Sequence, residues 1–403
     1  MAKTFTYNRL LLGGFTPVII VCIMLGACRE KYTAVVKDVN LNYMVIDGFI
    51  NTGGDSTIIK LSRAFKLDNK ALSAPERGAV VLVETDGGAS YALPELALKP
   101  GVYAIPTVGT DHTKKYRLRV RTKDNREYLS DFVESKVSPP VELTHDFRKG
   151  NLNVYANTQD ATGKSRYYNY TYTESWQYRS KIKSLWKVEN HQMVRRQFPK
   201  DDIYNCYQTI PSGNITIAST AGLGEDRLAD YPVVFVLPSS DKVRIEYSVL
   251  IKQTVLTRAG FEFAETMQKN TQKIGSIFDS QPSQLFGNIK CTTNPTEVVI
   301  GFVSAGTITE NRLLLIANDM PFTFVGPLPD SGCIKLVSDL LFRNQYGEDD
   351  VKRYLTEPTN PEYLPVDEIL VMGRLLGYTA TRNQDCVDCR LQGGSSIAPP
   401  YWK

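Results

Sequence analysis

Tyr116-Arg-Leu-Arg-Val-Arg-Thr122 places Tyr116, Leu118 and Val120 on one side of an extended chain and three arginines on the other. This alternation, with a period of two residues, is typical of an antiparallel strand that has one buried and one solvated face. Val243-Arg-Ile-Glu-Tyr-Ser-Val-Leu-Ile-Lys252 repeats the pattern over a longer stretch. The two stretches predict a chain that is mainly β.

Shorter runs of the same kind occur on both sides of these stretches, at residues 44–50, 57–61, 79–84, 233–237, 298–303 and 312–316. Clusters of Gly, Pro, Asp and Asn separate them at close spacing, as turns do. Short strands at close spacing favour β-sandwich modules. The predicted fold class is therefore mainly β, with two β-sandwich-like domains, the second carrying short helical inserts.

Ser138-Pro139-Pro140 is the predicted domain junction, because a proline pair favours a stiff, extended linker. We expect an immunoglobulin-like β domain at residues 39–138 and a longer β-rich domain at residues 141–403. Helices are predicted near residues 258–273 and 333–344, where apolar residues recur at three-to-four spacing.

The N-terminus has the features of a bacterial export signal. Two cations precede an almost wholly apolar run from Leu10 to Ala27. The run ends at Leu25-Gly26-Ala27-Cys28, which resembles a lipobox, and the thiol there can take up a diacylglyceryl group. This predicts a signal peptide at residues 1–27, lipid attachment at Cys28 and a lipidated tether at residues 28–38.

A plain transmembrane anchor is the alternative for this segment, since about 18 apolar residues can span a bilayer. Pro17 and Gly13-Gly14 weaken a stable span, whereas Cys28 stands at the cleavage position, which favours the lipoprotein. Two or three acyl chains anchor a protein stably, and a single chain does so only marginally. The predicted partner of the N-terminus is therefore a membrane, reached through lipid.

Charge and cysteine content limit the possible partners and cross-links of the protein. The formal net charge of +4 falls to +2 without Lys3 and Arg9, and 22% of residues are charged, so we predict no nucleic-acid partner. Five cysteines follow Cys28, and an odd number leaves at least one thiol unpaired. A disulfide that joins Cys333 to Cys386 or to Cys389 would hold the C-terminal tail.

No catalytic constellation is recognisable in the sequence. His112, His145 and His191 are each isolated from acids and cysteines at ligand spacing. Cys386-Val-Asp-Cys389 has the spacing of a redox or zinc motif, but no second Cys or His pair accompanies it, which favours structural disulfides or unpaired thiols. We predict no catalytic residues, no metal and no cofactor, and a protein that is not an enzyme.

One strand of the sequence carries an aromatic stripe, in which five rings share one parity: Tyr168, Tyr170, Tyr172, Trp176 and Tyr178. Two interpretations remain open. The stripe is either part of the sandwich core, or a flat platform that stacks on glycan or peptide surfaces, since interfaces favour Tyr and Trp.

Residues 245–253 and 269–289 make the chain recognisable, with Gly275–Ile289 the most specific part, and Asp388-Cys-Arg390 and Trp402 continue the likeness. Over residues 28–402 the chain resembles a family of Bacteroidetes outer-membrane lipoproteins of unknown function, typically encoded beside TonB-dependent transporters. The resemblance implies a two-part β architecture, lipid anchoring and an accessory role at such a transporter. It supplies no catalytic residues.

The sequence therefore predicts a lipid-anchored outer-membrane protein that is a non-enzymatic accessory or binding component of a TonB-dependent transport system. The expected partner is a TonB-dependent β-barrel. The alternative is a stand-alone surface lipoprotein that binds a glycan or peptide, and an enzyme is the third possibility. Cell-surface and periplasmic display both stay open, because only Glu30 among the residues directly after Cys28 is acidic.

Overall fold

The computed structural model describes residues 43–64, 74–272, 287–321, 332–358 and 362–402. The predicted signal peptide, the lipid attachment site at Cys28 and the tether lie outside the described residues. Residues 275–286, which belong to the most specific part of the family resemblance, also lie outside them. No helix in the described part is long and apolar enough to cross a membrane.

Twenty-five strands are found among the described residues. In chain order they are β1 (Tyr43–Asn51), β2 (Thr57–Ala64), β3 (Ala74–Pro75), β4 (Val80–Thr85), β5 (Ser90–Leu93), β6 (Val102–Ile105), β7 (Lys115–Arg121), β8 (Glu127–Ser130), β9 (Val133–Lys136), β10 (Val141–Asp146), β11 (Leu152–Gln159), β12 (Tyr167–Arg179), β13 (Trp186–Glu189), β14 (Gln192–Arg195), β15 (Asn205–Pro211), β16 (Thr216–Ser219), β17 (Arg227–Val236), β18 (Glu246–Val255), β19 (Ile289–Cys291), β20 (Val299–Ile300), β21 (Ser304–Gly306), β22 (Ile308–Ile316), β23 (Val337–Leu341), β24 (Leu364–Val371) and β25 (Arg374–Thr381).

Helical segments are few and, with one exception, short. The α-helix α1 spans Arg258–Gln272, where the sequence predicts one, and Thr257 caps it by accepting a hydrogen bond from the Gly260 N–H at 3.2 Å. The short segments are a π-helical turn at Lys352–Thr356 and 3-10 turns at Arg148–Gly150, Asp241–Val243, Ala317–Asp319, Cys333–Leu336, Gln384–Cys386 and Cys389–Gln392.

Strands β1 to β9 join β19 to β21 in a twelve-stranded sheet. The stretch that predicts the fold is β7, where Tyr116, Leu118 and Val120 are buried and the intervening arginines are partly exposed, as the alternation predicts. These side chains belong to the first hydrophobic core of the protein. A one-residue shift in register would turn all three away from that core.

A late segment of the chain completes this first core. Strands β20 and β21 both pair with β1 in parallel, and β19 pairs with β8. Ile289, Val299 and Val303 are buried against the side chains of the early strands. Contacts join residues 42–403 into one compact unit. The division into domains at residues 138–141 stays a prediction.

Two further sheets pack face to face as a sandwich around a second core. One has the strand order β10-β11-β17, and the other has the order β15-β12-β18-β22, with β16 beside β12. Leu152, Val154 and Val234 from the first of these sheets share the core with Val249 and Ile251 from the second. The prediction of a mainly β, sandwich-like fold is confirmed.

The C-terminal sheet has the order β23-β25-β24, and beside it lies the hairpin of β13 and β14. The prediction of a helix at residues 333–344 is wrong. Cys333–Leu336 form a 3-10 turn, and the next residues form β23, with Leu340 buried and Asp339 exposed. Leu340 packs with Tyr378 and Ala380 of β25, so tertiary packing overrides the helical spacing of the apolar residues here.

Candidate functional site

The aromatic stripe is part of the sandwich core. It lies on β12, which pairs with β18 on one side and with β15 and β16 on the other. Four of its rings are buried and the fifth is partly buried against the core: Tyr168, Tyr170, Trp176, Tyr178 and Tyr172 respectively. The interpretation as a ligand platform is therefore wrong, because these rings pack into the second hydrophobic core instead of facing solvent.

Two of the tyrosine hydroxyl groups in the stripe donate hydrogen bonds inside the molecule. Tyr168 donates a hydrogen bond to Asp226 at 2.8 Å, and Tyr178 donates one to the Cys389 carbonyl at 2.7 Å. The Tyr170 hydroxyl has no partner among the described residues, and its ring stacks on Tyr231 at 5.8 Å. Burial raises the pKa of Tyr168 and of Tyr170, because the phenolate would be poorly solvated there.

A partly buried ion pair lies on the same face of β12. Glu174 accepts hydrogen bonds from Lys242 at 2.5 Å and from the Tyr247 hydroxyl at 2.9 Å. The Lys242 ammonium group lies 5.1 Å from the Trp176 ring centroid. Burial, followed by the Glu174 charge, raises the pKa of Tyr247. Glu174, Lys242 and Tyr247 therefore bind one another, and we interpret the cluster as structural.

Two disulfides hold the C-terminal tail. Cys333 pairs with Cys386, one of the two partners that the sequence leaves open, and Cys389 pairs with Cys206 of β15. The Cys386-Val-Asp-Cys389 motif therefore belongs to two different cross-links. The sequence did not identify Cys206 as a partner. Cys291 is a free thiol buried in the first core.

The three histidines lie far apart in the fold. His145 packs edge-on against Phe147, and His191 donates from Nδ1 to the Thr356 carbonyl at 2.8 Å. His112 is close to two hydroxyl groups: its Nδ1 lies 3.2 Å from Thr52 Oγ1 and 3.4 Å from Ser135 Oγ. Within the described residues, no group of three potential metal ligands comes together.

The His112 cluster opens into a crevice of about 360 Å³. Ser135 and Thr52 share a hydrogen bond of 2.8 Å, so both hydroxyls are engaged with each other. In a Ser-His-Asp triad, a carboxylate orients the histidine. Asp111, the neighbour of His112, instead accepts hydrogen bonds from the Thr113 backbone and hydroxyl.

A larger cleft is found between the β13–β14 hairpin and the C-terminal sheet, with a volume of about 620 Å³. We call it the tyrosine cleft, and its walls are formed by Lys187, Val188, Asn190, His191, Arg196, Tyr354, Leu355, Thr356, Pro358, Tyr363, Leu364, Pro365 and Gln384. The hairpin is held in place by the hydrogen bond from Leu185 N–H to the Val366 carbonyl at 2.7 Å and by the contact of His191 with Thr356.

Two tyrosines give the cleft its apolar surface. The ring centroids of Tyr354 and Tyr363 lie 5.5 Å apart, with a tilt of 57° between the planes. A guanidinium group covers each ring: Arg353 lies 5.3 Å from the Tyr354 centroid and Arg382 lies 4.9 Å from the Tyr363 centroid. Both rings pack partly against the core of the C-terminal sheet, which fixes their orientation.

Arg196 supplies a positive charge to the cleft wall. Its Nε donates to Ser184 Oγ at 3.0 Å and its Nη1 donates to the Asp201 carbonyl at 3.3 Å. Both partners are neutral oxygens, and in the described part of the chain Arg196 forms no ion pair with a carboxylate. Burial lowers the pKa of Arg196, because the guanidinium charge loses solvation. A planar cation of this kind can accept an anionic or hydroxyl-rich ligand.

Lys187, which also lines the cleft, already pairs with two carboxylates. Its ammonium group lies 2.9 Å from a Glu189 oxygen and 3.0 Å from an Asp201 oxygen. The hydrogen bonds that Lys187 donates to these two carboxylates raise its pKa. The sequence could not identify the tyrosine cleft, because its residues come from three distant segments that only the folded chain brings together.

A family model described as "Domain of unknown function (DUF4249)" matches residues 29–312. The chain belongs to the DUF4249 family. The expected membership of a family of unknown function is thereby confirmed, over a shorter range than the resemblance at residues 28–402 implied. In this DUF4249 protein, Tyr354 and Tyr363 of the tyrosine cleft lie beyond the matched part.

Comparison with solved structures shows that this DUF4249 chain is similar to the chicken interferon gamma receptor alpha chain. The likeness covers 53% of this chain and 90% of the receptor chain at 9% identity, with a TM-score of 0.13, which carries no argument about fold or function. A comparison with curated proteins finds no match.

Proposed function

We propose that this protein is a lipid-anchored, non-enzymatic binding component of a TonB-dependent transport system in the outer membrane. The observation that carries the proposal is the lipobox-like Leu25-Gly26-Ala27-Cys28, directly followed by a DUF4249 match that begins at residue 29. A β-rich protein held by lipid at a membrane reaches a high effective concentration beside a membrane partner. The β-barrel transporter is that partner.

The anchor is tested by the intact mass of the protein purified from membranes. We expect a chain that begins at Cys28 and carries acyl groups, and we expect Cys28→Ala to carry no acyl group. Cys22→Ala is the matched control, because it alters a cysteine inside the apolar run and leaves Cys28 intact. A mature chain without lipid on Cys28 contradicts this part of the proposal.

The tyrosine cleft favours a second candidate function, the binding of a glycan or peptide by this lipoprotein alone. Aromatic rings stack on sugar rings and on peptide side chains, and Arg196 adds a directional cation to the same cleft. The cleft volume of about 620 Å³ lies within the range of small-ligand sites. A ligand with a flat apolar face and a carboxylate or several hydroxyl groups would match this wall.

This second function is tested on arrays of acidic and neutral oligosaccharides and of peptides. Tyr363→Ala and Arg196→Gln are expected to lower retention by about tenfold or more, while Tyr346→Ala, an exposed tyrosine outside the cleft, is expected to leave it unchanged. Thermal unfolding of each variant separates loss of binding from loss of the fold. Retention that is equal in all three variants contradicts binding in the cleft.

A further inference from the structure

The turn between β24 and β25 has an unusual residue at its tip. Val371 pairs with Arg374, so Met372 and Gly373 are the two central residues of the hairpin turn. Their φ angles are 47° and 76°, as in the two-residue turns that favour Asn-Gly. An unbranched apolar side chain gains nothing from this left-handed conformation, which Asn or Gly adopts more easily.

Met372 is also completely exposed, with a relative accessibility of 103%. The two residues before it, Leu370 and Val371, are about half exposed at 52% and 51%. Three consecutive apolar residues therefore protrude at a turn where the fold itself would favour polar ones. Exposed apolar residues that form a contiguous patch mark a contact with another molecule or with a membrane.

A second loop adds aromatic residues at the same end of the C-terminal sheet. The Phe342 N–H donates to the Leu376 carbonyl at 3.0 Å, so the chain leaves β23 towards the β24–β25 turn. The following loop carries Tyr346, which is 80% exposed, and Phe342 is 41% exposed. Aromatic side chains with apolar rings are enriched at membrane–water interfaces.

Two arginines flank the apolar residues, Arg343 on the second loop and Arg374 directly after the turn. Both are exposed, and neither forms an ion pair with the part of the chain that the structure describes. Among the acids that follow on the same loop, Glu348 pairs with Arg353 at 3.2 Å, whereas Asp350 and Asp349 accept hydrogen bonds from neutral groups, the Asn344 amide and the Lys352 backbone N–H. Arg343 and Arg374 are therefore cations without a carboxylate partner among the described residues, and they lie directly beside the apolar residues.

We propose that this end of the C-terminal sheet, the hairpin-tip surface, inserts into the interfacial region of a lipid bilayer that contains anionic headgroups. The surface consists of Phe342, Arg343, Tyr346, Leu370, Val371, Met372 and Arg374. Apolar side chains enter the acyl boundary while the arginines contact phosphate groups, as in other interfacial anchors. A protruding turn needs a matching pocket in a protein partner, whereas lipid adapts to its shape.

This contact does not depend on acylation of Cys28, so its test is separate from the test of the proposed function. Residues 42–403 form a compact unit without the N-terminal segment, and that unit carries no acyl chain. It is floated with vesicles of phosphatidylethanolamine and phosphatidylglycerol, and in parallel with vesicles of phosphatidylcholine. We expect binding to the anionic vesicles that weakens with salt.

Met372→Asn is the decisive variant. It is expected to lower the partition coefficient by about tenfold, about 1.4 kcal/mol, and also to raise the midpoint of thermal unfolding, because Asn suits the turn better. If Met372 had only a structural role, Met372→Asn would not weaken vesicle binding while it raises the midpoint of thermal unfolding. Leu98→Asn is the matched control, since Leu98 is 95% exposed in a loop of the twelve-stranded sheet, and it should bind as the wild type does.

The arginines are tested in the same assay. Arg343→Gln combined with Arg374→Gln should weaken binding to the anionic vesicles and leave binding to phosphatidylcholine unchanged. The proposal is overturned if the wild-type unit does not float with anionic vesicles, or if Met372→Asn floats equally well. It is also overturned if Met372→Asn abolishes self-association of the unit while no form of it binds vesicles, because the surface would then contact a second copy.

Discussion

Tyr128 donates a hydrogen bond of 2.6 Å to Glu297, which lies 169 residues later in the chain. Glu297 also pairs with Arg63 at 3.3 Å and with Arg126 at 2.9 Å, and its side chain is 7% exposed. This carboxylate adds ionic and hydrogen-bond contacts to the strand pairing that joins the late segment of β19 to β21 to the early strands of the first core. The carboxylate therefore completes a hydrogen-bonded charge cluster that two regions of sequence share.

We predict that Glu297→Ala lowers the free energy of unfolding by about 3 kcal/mol, because it leaves Arg63 buried with less compensation. Urea unfolding followed by circular dichroism measures the change. Glu310→Ala is the matched control, since the Glu310–Lys252 pair is about half exposed and should contribute less than about 1 kcal/mol. Equal losses in the two variants would show that the late segment is not held by this cluster.

The stripe on β12 gives a pair of single-atom substitutions. Tyr168→Phe removes the hydrogen bond to Asp226 and is expected to destabilise the protein by about 1–2 kcal/mol, whereas Tyr170→Phe removes a buried hydroxyl without a described partner and should be neutral or stabilising by about 1 kcal/mol. Thermal and urea unfolding of both variants check the difference. A larger loss for Tyr170→Phe would reveal a partner for that hydroxyl.

The buried tyrosines also predict how stability depends on pH. The folded-state pKa values of Tyr128, Tyr168 and Tyr170 are raised, with burial as the main cause. In the unfolded chain these groups lose their protons near pH 10, so above about pH 10 the unfolded state binds fewer protons and stability falls as pH rises. Unfolding free energies measured across this range should decrease less steeply for Tyr168→Phe than for the wild type, and an equally steep decrease would contradict the raised pKa of Tyr168.

The disulfide pairing leads to a further prediction about stability. Cys206→Ala with Cys389→Ala opens a link between residues 183 positions apart, and we expect a loss of about 2–5 kcal/mol. Peptide mapping under non-reducing conditions should recover Cys206 with Cys389 and Cys333 with Cys386. Cys291→Ala is the control, because it removes a buried free thiol and no cross-link. Recovery of Cys386 bonded to Cys389 would contradict the described pairing.

The strands could be predicted because the alternation of apolar and polar residues indicates which face of each strand is buried. Tyr116, Leu118 and Val120 of β7 have only one buried side to occupy, so the pattern is unambiguous. The spacing of the apolar residues after Cys333 is compatible with both a helix and a strand, and packing against β25 decides for the strand. The residues around Cys333 alone do not indicate that they will pair with β25.

The stripe and the cleft show a second limit. The shared parity of Tyr168 and Tyr170 predicts one face of a strand, but whether that face meets solvent depends on the sheet of β10, β11 and β17 opposite it. Tyr354, Tyr363 and Arg196 have no pattern in common along the chain. They form one wall only because the β13–β14 hairpin contacts the C-terminal sheet, and so the tyrosine cleft could not be predicted from spacing.

The central proposal is a lipid-anchored component of a TonB-dependent transport system, and co-purification from the native outer membrane tests it most directly. The affinity-tagged protein is extracted in mild detergent, and the proteins that accompany it are identified by mass spectrometry, with Cys28→Ala as the matched control. The account predicts a TonB-dependent β-barrel in a fixed ratio with the wild type and its depletion with Cys28→Ala. Recovery of the acylated wild type from the membrane without any β-barrel transporter would contradict it.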